Sequence, residues 1–244
     1  MKNIKIVLKF AGTNYHGWQI QKNGITVQEC LNNALFSVTG EKINTVGCGR
    51  TDAGVHASGF VASFKTESSI PVEKFPYAIN TALPEDIVCI NAVRERDDFE
   101  ASRNSLKKRY VYRILNSDFP DPFLDPYSYH VKGKLDIEAM RAGADHFCGM
   151  HDFIGFASSG FSVKTTDRCI YSLKIYEKNG LICIDVTGNG FLYNMVRIIA
   201  GTLISVGKHA VLPEMIPEII NSRDRSRAGI TAPAKGLCLM EVCY

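Results

Sequence analysis

The chain has 244 residues, 45% apolar and 22% charged, an ordinary composition for a soluble globular enzyme that buries one large core or two fused halves. This composition excludes a disordered chain, and no apolar run reaches the ~18 residues of a membrane helix. A net charge of +3 does not by itself identify a nucleic-acid partner, and the first ten residues lack the apolar core of a secretory signal, so the expected location is cytoplasmic with no membrane association.

Alternating apolar and polar residues in KNIKIVLKF predict a first strand, and the Gly/Asn-containing GTNYHGW after it predicts a loop. Thr26 is placed to cap a helix over VQECLNNALFSVTG, with Gly40 as its C-terminal stop. A loop around Asp52 leads to a strand at GFVASFK. VEKFPYAINTAL reads as a short helix interrupted near Pro76, and DIVCINAV and KRYVYRILN read as strands. Three prolines in NSDFPDPFLDPYSYH mark a connector, which gives expected domains at 1–117 and 118–244. The second half then reads as a helix from Asp136 to about Cys148, a glycine- and serine-rich loop GFASSGFSV, and two strands joined by the hairpin signal Asn179-Gly180. An amphipathic helix from about Phe191 to Gly207, a short helix and a last strand, GLCLMEVCY, complete it. The expected class is therefore α+β, with two similar halves.

The eight cysteines are scattered through strand- and helix-like segments, which points to buried thiols rather than disulfides. With no C-x-x-C pair, no H-E-x-x-H and no histidines at ligand spacing, no metal site is expected. Charge distribution is more telling than its total. Arg103, Lys107, Lys108, Arg109 and Arg113 follow one another with no acid between Ala101 and Ser117, and Tyr110 and Tyr112 interleave with them. Such a strand either neutralises phosphates and stacks bases or is simply a solvated face. A second basic cluster, Arg223, Arg225 and Arg227, alternates with Asp224 and Ser226 and is equally well read as a solvated turn.

Chemistry concentrates in GRTDAGVHA, residues 49–57, where Gly49 and Gly54 allow Asp52, two positions after Arg50, to stand at the tip of a tight loop. A bare G-x-x-D-x-G pattern is usually only an Asx-type turn. The full nonapeptide, however, resembles the signature loop of the TruA family of tRNA pseudouridine synthases. FAGTNYHGWQIQ (10–21), KRYVY (108–112), FLYNMVRIIAGTL (191–203) and AKGLCL (234–239) match the same family in order, so the resemblance covers nearly the whole chain. Taken alone, Trp18 is a core anchor and FLYNMVRIIAGTL a buried helix; only Arg197, amid apolar neighbours, asks for either a route to solvent or a buried acid.

The resemblance implies a pseudouridine synthase-like fold of largely antiparallel sheet with an active-site cleft between the halves. It implies uridine isomerisation at positions 38, 39 and 40 of the tRNA anticodon stem-loop, without a cofactor, by a homodimer. It makes Asp52 the nucleophile, Tyr110 the ring packed on uracil, Arg197 the partner of Asp52, Leu237 an apolar wall and Arg50 the residue that fills the gap left by the extruded base. Arg103, Lys107 and Lys108 are candidate phosphate contacts, as is Arg168, which stands where the family tends to have an arginine. The family usually has Asp where this chain has Ala11 and often Arg where it has Ser102; Arg103 follows one position later, which on a strand is the opposite face. Two other classes share part of the pattern. A non-catalytic RNA-binding module would explain the basic strand but not Asp52, and a glycosidase normally needs two carboxylates where this loop offers one.

Overall fold

The computed structural model of the protein describes residues 1–160 and 165–244, so the last three residues of GFASSGFSV lie outside the described residues. The chain divides into two compact units, one of residues 1–106 and 239–244 and the other of residues 107–238.

In the first unit, β1 (Lys2–Phe10) alternates as its sequence demands, with Ile4, Ile6 and Leu8 fully buried and Lys9 exposed. Helix α1 (Val27–Thr39) follows, its start fixed by the Thr26 hydroxyl accepting from Glu29 N–H and its end by Gly40 at φ 73°. Val27, Leu31, Ala34 and Leu35 form its buried stripe. A two-residue strand, β2 (Val46–Gly47), leads past the Asp52 loop to β3 (His56–Thr66), which pairs antiparallel with β1. Helix α2 (Phe75–Asn80) comes next, and Pro76 lies in its first turn, where proline costs no hydrogen bond. It therefore starts the helix instead of interrupting it. β4 (Ile87–Glu95) pairs with the other side of β1, giving the order β4-β1-β3.

The second unit opens with β5 (Lys107–Asn116). The proline-rich segment 117–128, expected to join two halves, lies inside this unit and returns the chain to β6 (Tyr129–Val131), which pairs parallel with β5. The compact units thus part at Leu106/Lys107, ahead of β5, because β5 pairs with strands that follow it. Helix α3 (Ile137–Asp145) is capped by the Asp136 carboxylate accepting from Ala139 N–H. β7 (Gly149–Asp152), β8 (Asp167–Lys178) and β9 (Leu181–Gly188) complete an antiparallel order β5-β9-β8-β7. Asn179 and Gly180, both at positive φ, turn β8 into β9, as the hairpin signal predicts.

Helix α4 (Met195–Gly207) has eleven buried residues out of thirteen, so it is a central core helix rather than an amphipathic surface one. It starts later than the apolar run does because Asn194 takes a left-handed conformation at φ 62°. After α5 (Ile216–Ser222) and an extended loop, β10 (Leu237–Cys243) passes back to the first unit, where it follows β3 in strand order. The molecule is α+β, with mixed, largely antiparallel sheet, as expected.

Candidate active site

Asp52 opens a tight turn in the first unit. Val55 N–H donates to the Asp52 carbonyl at 3.2 Å, and Gly54 takes φ 79°, a conformation open to glycine at no steric cost. Residues 12–18 grip this turn from outside. Trp18 N–H donates to Thr51 O and Gly54 N–H to Tyr15 O, each at 3.2 Å, and Gly12 N–H donates to His56 Nδ1 at 3.0 Å. Backbone touches backbone here: a Cβ on Gly12 would stand 2.0 Å from Val55 O, and one on Gly17 2.2 Å from Thr51 O. The two glycines of the first motif are thus the reason the Asp52 loop can be held so closely.

Sequence reasoning missed the part played by His56. Its ring is buried, and its Nδ1 accepts from Gly12 N–H, which ties the ring to the first motif. It also missed Asp86, whose carboxylate accepts from the Tyr15 hydroxyl and from Asn14 Nδ2 and whose carbonyl accepts from Ala11 N–H. Burial, helped by the Asp86 hydrogen bond, pushes the Tyr15 hydroxyl above the usual tyrosine range. Ala11, the departure from the family pattern, therefore still ties the loop through its backbone. Behind the loop, Trp18 is the core anchor its sequence suggests, stacked on Phe60 with ring centroids 4.3 Å apart.

Asp52 itself is half-buried. Arg50 is exposed and has no side-chain hydrogen bond or ion pair among the described residues. The neighbouring Thr51 hydroxyl is buried without a hydrogen-bond partner, the one such side-chain group among the described residues.

In the second unit, Arg197 lies in the first turn of α4. Its Nε donates to Ala232 O and its Nη1 to Asn194 Oδ1, both at 2.7 Å, while Ala232 N–H returns a bond to Arg197 O at 3.2 Å. Asn194 in turn donates to Ser158 Oγ at 2.9 Å. A guanidinium held by two oxygens has a fixed direction, which is what an arginine serving a single carboxylate or phosphate requires. Tyr110, half-buried on β5, meets the Phe191 ring edge-on at 5.3 Å. Tyr112, two residues along on the same face, is fully buried and donates to Pro233 O at 2.8 Å. Burial raises its hydroxyl above the usual range, the Arg197 charge working against that rise. Gly236 is needed for this packing, since a Cβ there would stand 2.6 Å from the Tyr112 ring. Leu237, buried, follows directly.

The basic residues separate into two kinds. Arg103 and Lys107 are exposed, and among the described residues the Arg103 side chain makes only a long 3.8 Å ion pair with Glu100. Lys108 is half-buried on the Tyr110 face. Arg109, by contrast, is committed to structure: its Nε and Nη2 meet the two oxygens of buried Asp185 at 2.9 and 2.6 Å. Arg168 is half-buried, with Nη1 donating to Thr165 O and Asp167 O, and burial lowers its pKa. Residues 99–104 form a turn rather than a strand, with Arg103 N–H donating to Glu100 O, so strand-face alternation does not separate Ser102 from Arg103. Among the described residues no cluster of His, Cys, Asp or Glu suits a metal, and no helix is long and apolar enough to cross a membrane.

A family model described as tRNA pseudouridine synthase matches residues 6–103 and 144–244. The chain is 48% identical over 244 residues to tRNA pseudouridine synthase A of Thermoanaerobacter sp. and 49% identical to that of Acetivibrio thermocellus, with 100% of both sequences covered in each pair. It is 46% identical, also at full coverage, to tRNA pseudouridine synthase A 2 of Clostridium perfringens. Among solved structures, the archaeal box H/ACA sRNP Nop10-Cbf5 complex is similar to 83% of this chain at 13% identity and a TM-score of 0.36, and the chain spans 43% of that chain's length.

Proposed function

The chain belongs to the tRNA pseudouridine synthase family, and from that premise we propose that it isomerises uridine to pseudouridine at positions 38, 39 and 40 of the tRNA anticodon stem-loop. The observation that carries this reading is Asp52 at the opening of a glycine turn whose position is fixed by the first family motif through three hydrogen bonds and two close backbone contacts. The reaction breaks the bond from ribose to N1 of uracil, turns the base and rejoins it through C5, with one proton leaving C5 and one added at N1. Electrons balance without a redox partner, so no cofactor is required. The rate is set by one placed carboxylate and by how well the freed base is restrained.

Asp52 is the nucleophile, and Arg197 supplies its counter-charge. Tyr110 packs on the uracil and is the candidate base for the C5 proton, and Leu237 gives an apolar wall. Arg50, exposed and uncommitted to any other group, fills the space the extruded base leaves. Arg103, Lys107, Lys108 and Arg168 meet phosphates, and a homodimer doubles that basic surface.

Unmodified tRNA transcript carrying tritium at uracil C5 tests the reading. The enzyme is expected to release tritium to water and leave the RNA intact, with pseudouridine at 38 to 40. Release of free uracil indicates a hydrolase, and binding with no tritium release indicates an RNA-binding module; either overturns the proposal.

A further inference from the structure

We propose that Arg225 is a positioning residue for Arg197, acting through the loop between them, and is not an RNA-phosphate contact. The inference rests on the assignment of Arg197 above. Arg225 sits in the second basic cluster, where sequence alone leaves a solvated turn or an RNA surface open. The structure spends its guanidinium inward: Nη1 donates to Gly229 O at 2.9 Å and Ala228 O at 3.4 Å, and Nη2 to Thr231 Oγ1 at 3.0 Å. Its neighbours differ. Arg223 pairs with Asp152 and Arg227 with Glu218, side chain to side chain at the surface.

The loop that Arg225 braces is seated closely on α4, with glycine backbone against backbone. Gly229 N–H donates to the buried Thr202 hydroxyl at 2.8 Å, and a Cβ on Gly201 would stand 1.9 Å from Ile230 O. Beyond Thr231 comes Ala232, whose carbonyl holds Arg197 Nε and whose N–H holds Arg197 O. One residue further, Pro233 O accepts from Tyr112. The direction of the Arg197 guanidinium is therefore set by a carbonyl whose place depends on a braced loop, and a shift of about 1 Å in such a group costs on the order of 100-fold in rate.

Arg225→Met removes the brace and keeps most of the packing. The expected result is kcat lowered about ten- to a hundredfold, with tRNA affinity and its salt dependence within about twofold of wild type. Thr231→Val removes one acceptor, and is expected to lower kcat by less; it carries the test if Arg225→Met does not fold. Arg227→Ala, which deletes the same charge two residues away, is expected to leave kcat unchanged. In an Arg197→Lys background, which breaks the fork geometry, Arg225→Met is expected to add little further loss, because the two act as one unit. Additive losses in that cycle, or weakened binding with a reduced salt slope at unchanged kcat, overturn the inference. So does wild-type kcat in Arg225→Met while Arg197→Met is inactive; full activity in Arg197→Met would instead remove the assignment of Arg197 itself.

Discussion

Gly17→Ala tests the grip on the Asp52 loop from a residue that makes no side-chain contact at all. Alanine in a left-handed conformation costs about 1 to 2 kcal/mol, and Gly17 has φ 82°. The new Cβ would also stand 2.2 Å from Thr51 O, with Asp52 C and Ala53 N behind it, so the loop must move. Overpacking of this kind typically costs about 1 to 3 kcal/mol, for a total of about 2 to 5. Gly40→Ala separates the two terms, because Gly40 shares the positive φ but has nothing within 4 Å of a Cβ; it is expected to cost only about 1 to 2 kcal/mol. Urea unfolding gives both values. For catalysis, displacement of the Asp52 backbone by about 1 Å is expected to slow single-turnover tritium release on saturated enzyme by on the order of 100-fold. Gly40→Ala is expected to retain the full rate. A Gly17→Ala protein no less stable than Gly40→Ala and equally fast would refute the claim that residues 12–18 position Asp52.

Asp52→Asn is expected to bind tRNA as wild type does and to form no pseudouridine; near-wild-type turnover shows that the carboxylate is not the catalytic group. Lys107→Ala, at an exposed position, is expected to weaken binding across tRNA sequences alike and to reduce the log-log salt slope by about one, with saturated chemistry unchanged; a change in sequence preference counts against a phosphate contact. Thr51→Val deletes the buried hydroxyl that lacks a partner and keeps its shape, so a gain of about 1 kcal/mol in urea is expected, and a loss of that size contradicts the assignment. In alkali, burial holds the Cys89 thiol up to about 12 and raises the Tyr112 hydroxyl. The unfolded chain sheds these protons first, from about pH 8.5 for cysteine and 10 for tyrosine, so their contribution is full below those values and lost as pH rises toward the folded ones. The urea midpoint is expected to fall between pH 8 and 11, less steeply in Cys89→Ala; a rising midpoint reverses the sign of the argument.

Features carried by neighbouring residues are legible in the amino-acid sequence itself. Thr26 and Gly40 bound α1 through local backbone chemistry, and Asn179-Gly180 dictates a hairpin because both residues accept positive φ. The candidate site is legible only as far as the motifs name residues. What makes GTNYHGW and GRTDAGVHA a single device is the contact of Gly12 and Gly17 with a loop some 40 residues away, and no local pattern contains that. In the sequence, Arg109 looks as available to RNA as Lys108. Its commitment to Asp185 follows from strand register, which sets Val111 opposite Asp185 and Arg109 diagonal to it. Likewise α4 begins at Met195 and not Phe191 because one asparagine turns left-handed, a choice its apolar neighbours do not signal. The unit boundary at 106/107 depends on which strands β5 joins, again a matter of pairing rather than composition.

The unit that carries Asp52 is assembled from two separate stretches of sequence, with all of residues 107–238 intervening. The second stretch is tied in firmly: Leu106 N–H donates to Cys243 O at 2.8 Å, the Tyr244 hydroxyl donates to Ala101 O at 2.9 Å, and the Tyr244 and Phe99 rings meet at 5.0 Å. During synthesis, the stretch that emerges first therefore has to wait for residues 239–244 before its own sheet is complete. Strands β5 to β9 of the unit behind it have all emerged once residue 188 is clear of the ribosome. Order of emergence and order of completion are opposed, and the Asp52 loop is left resting on a sheet that lacks its last strand until the end of synthesis.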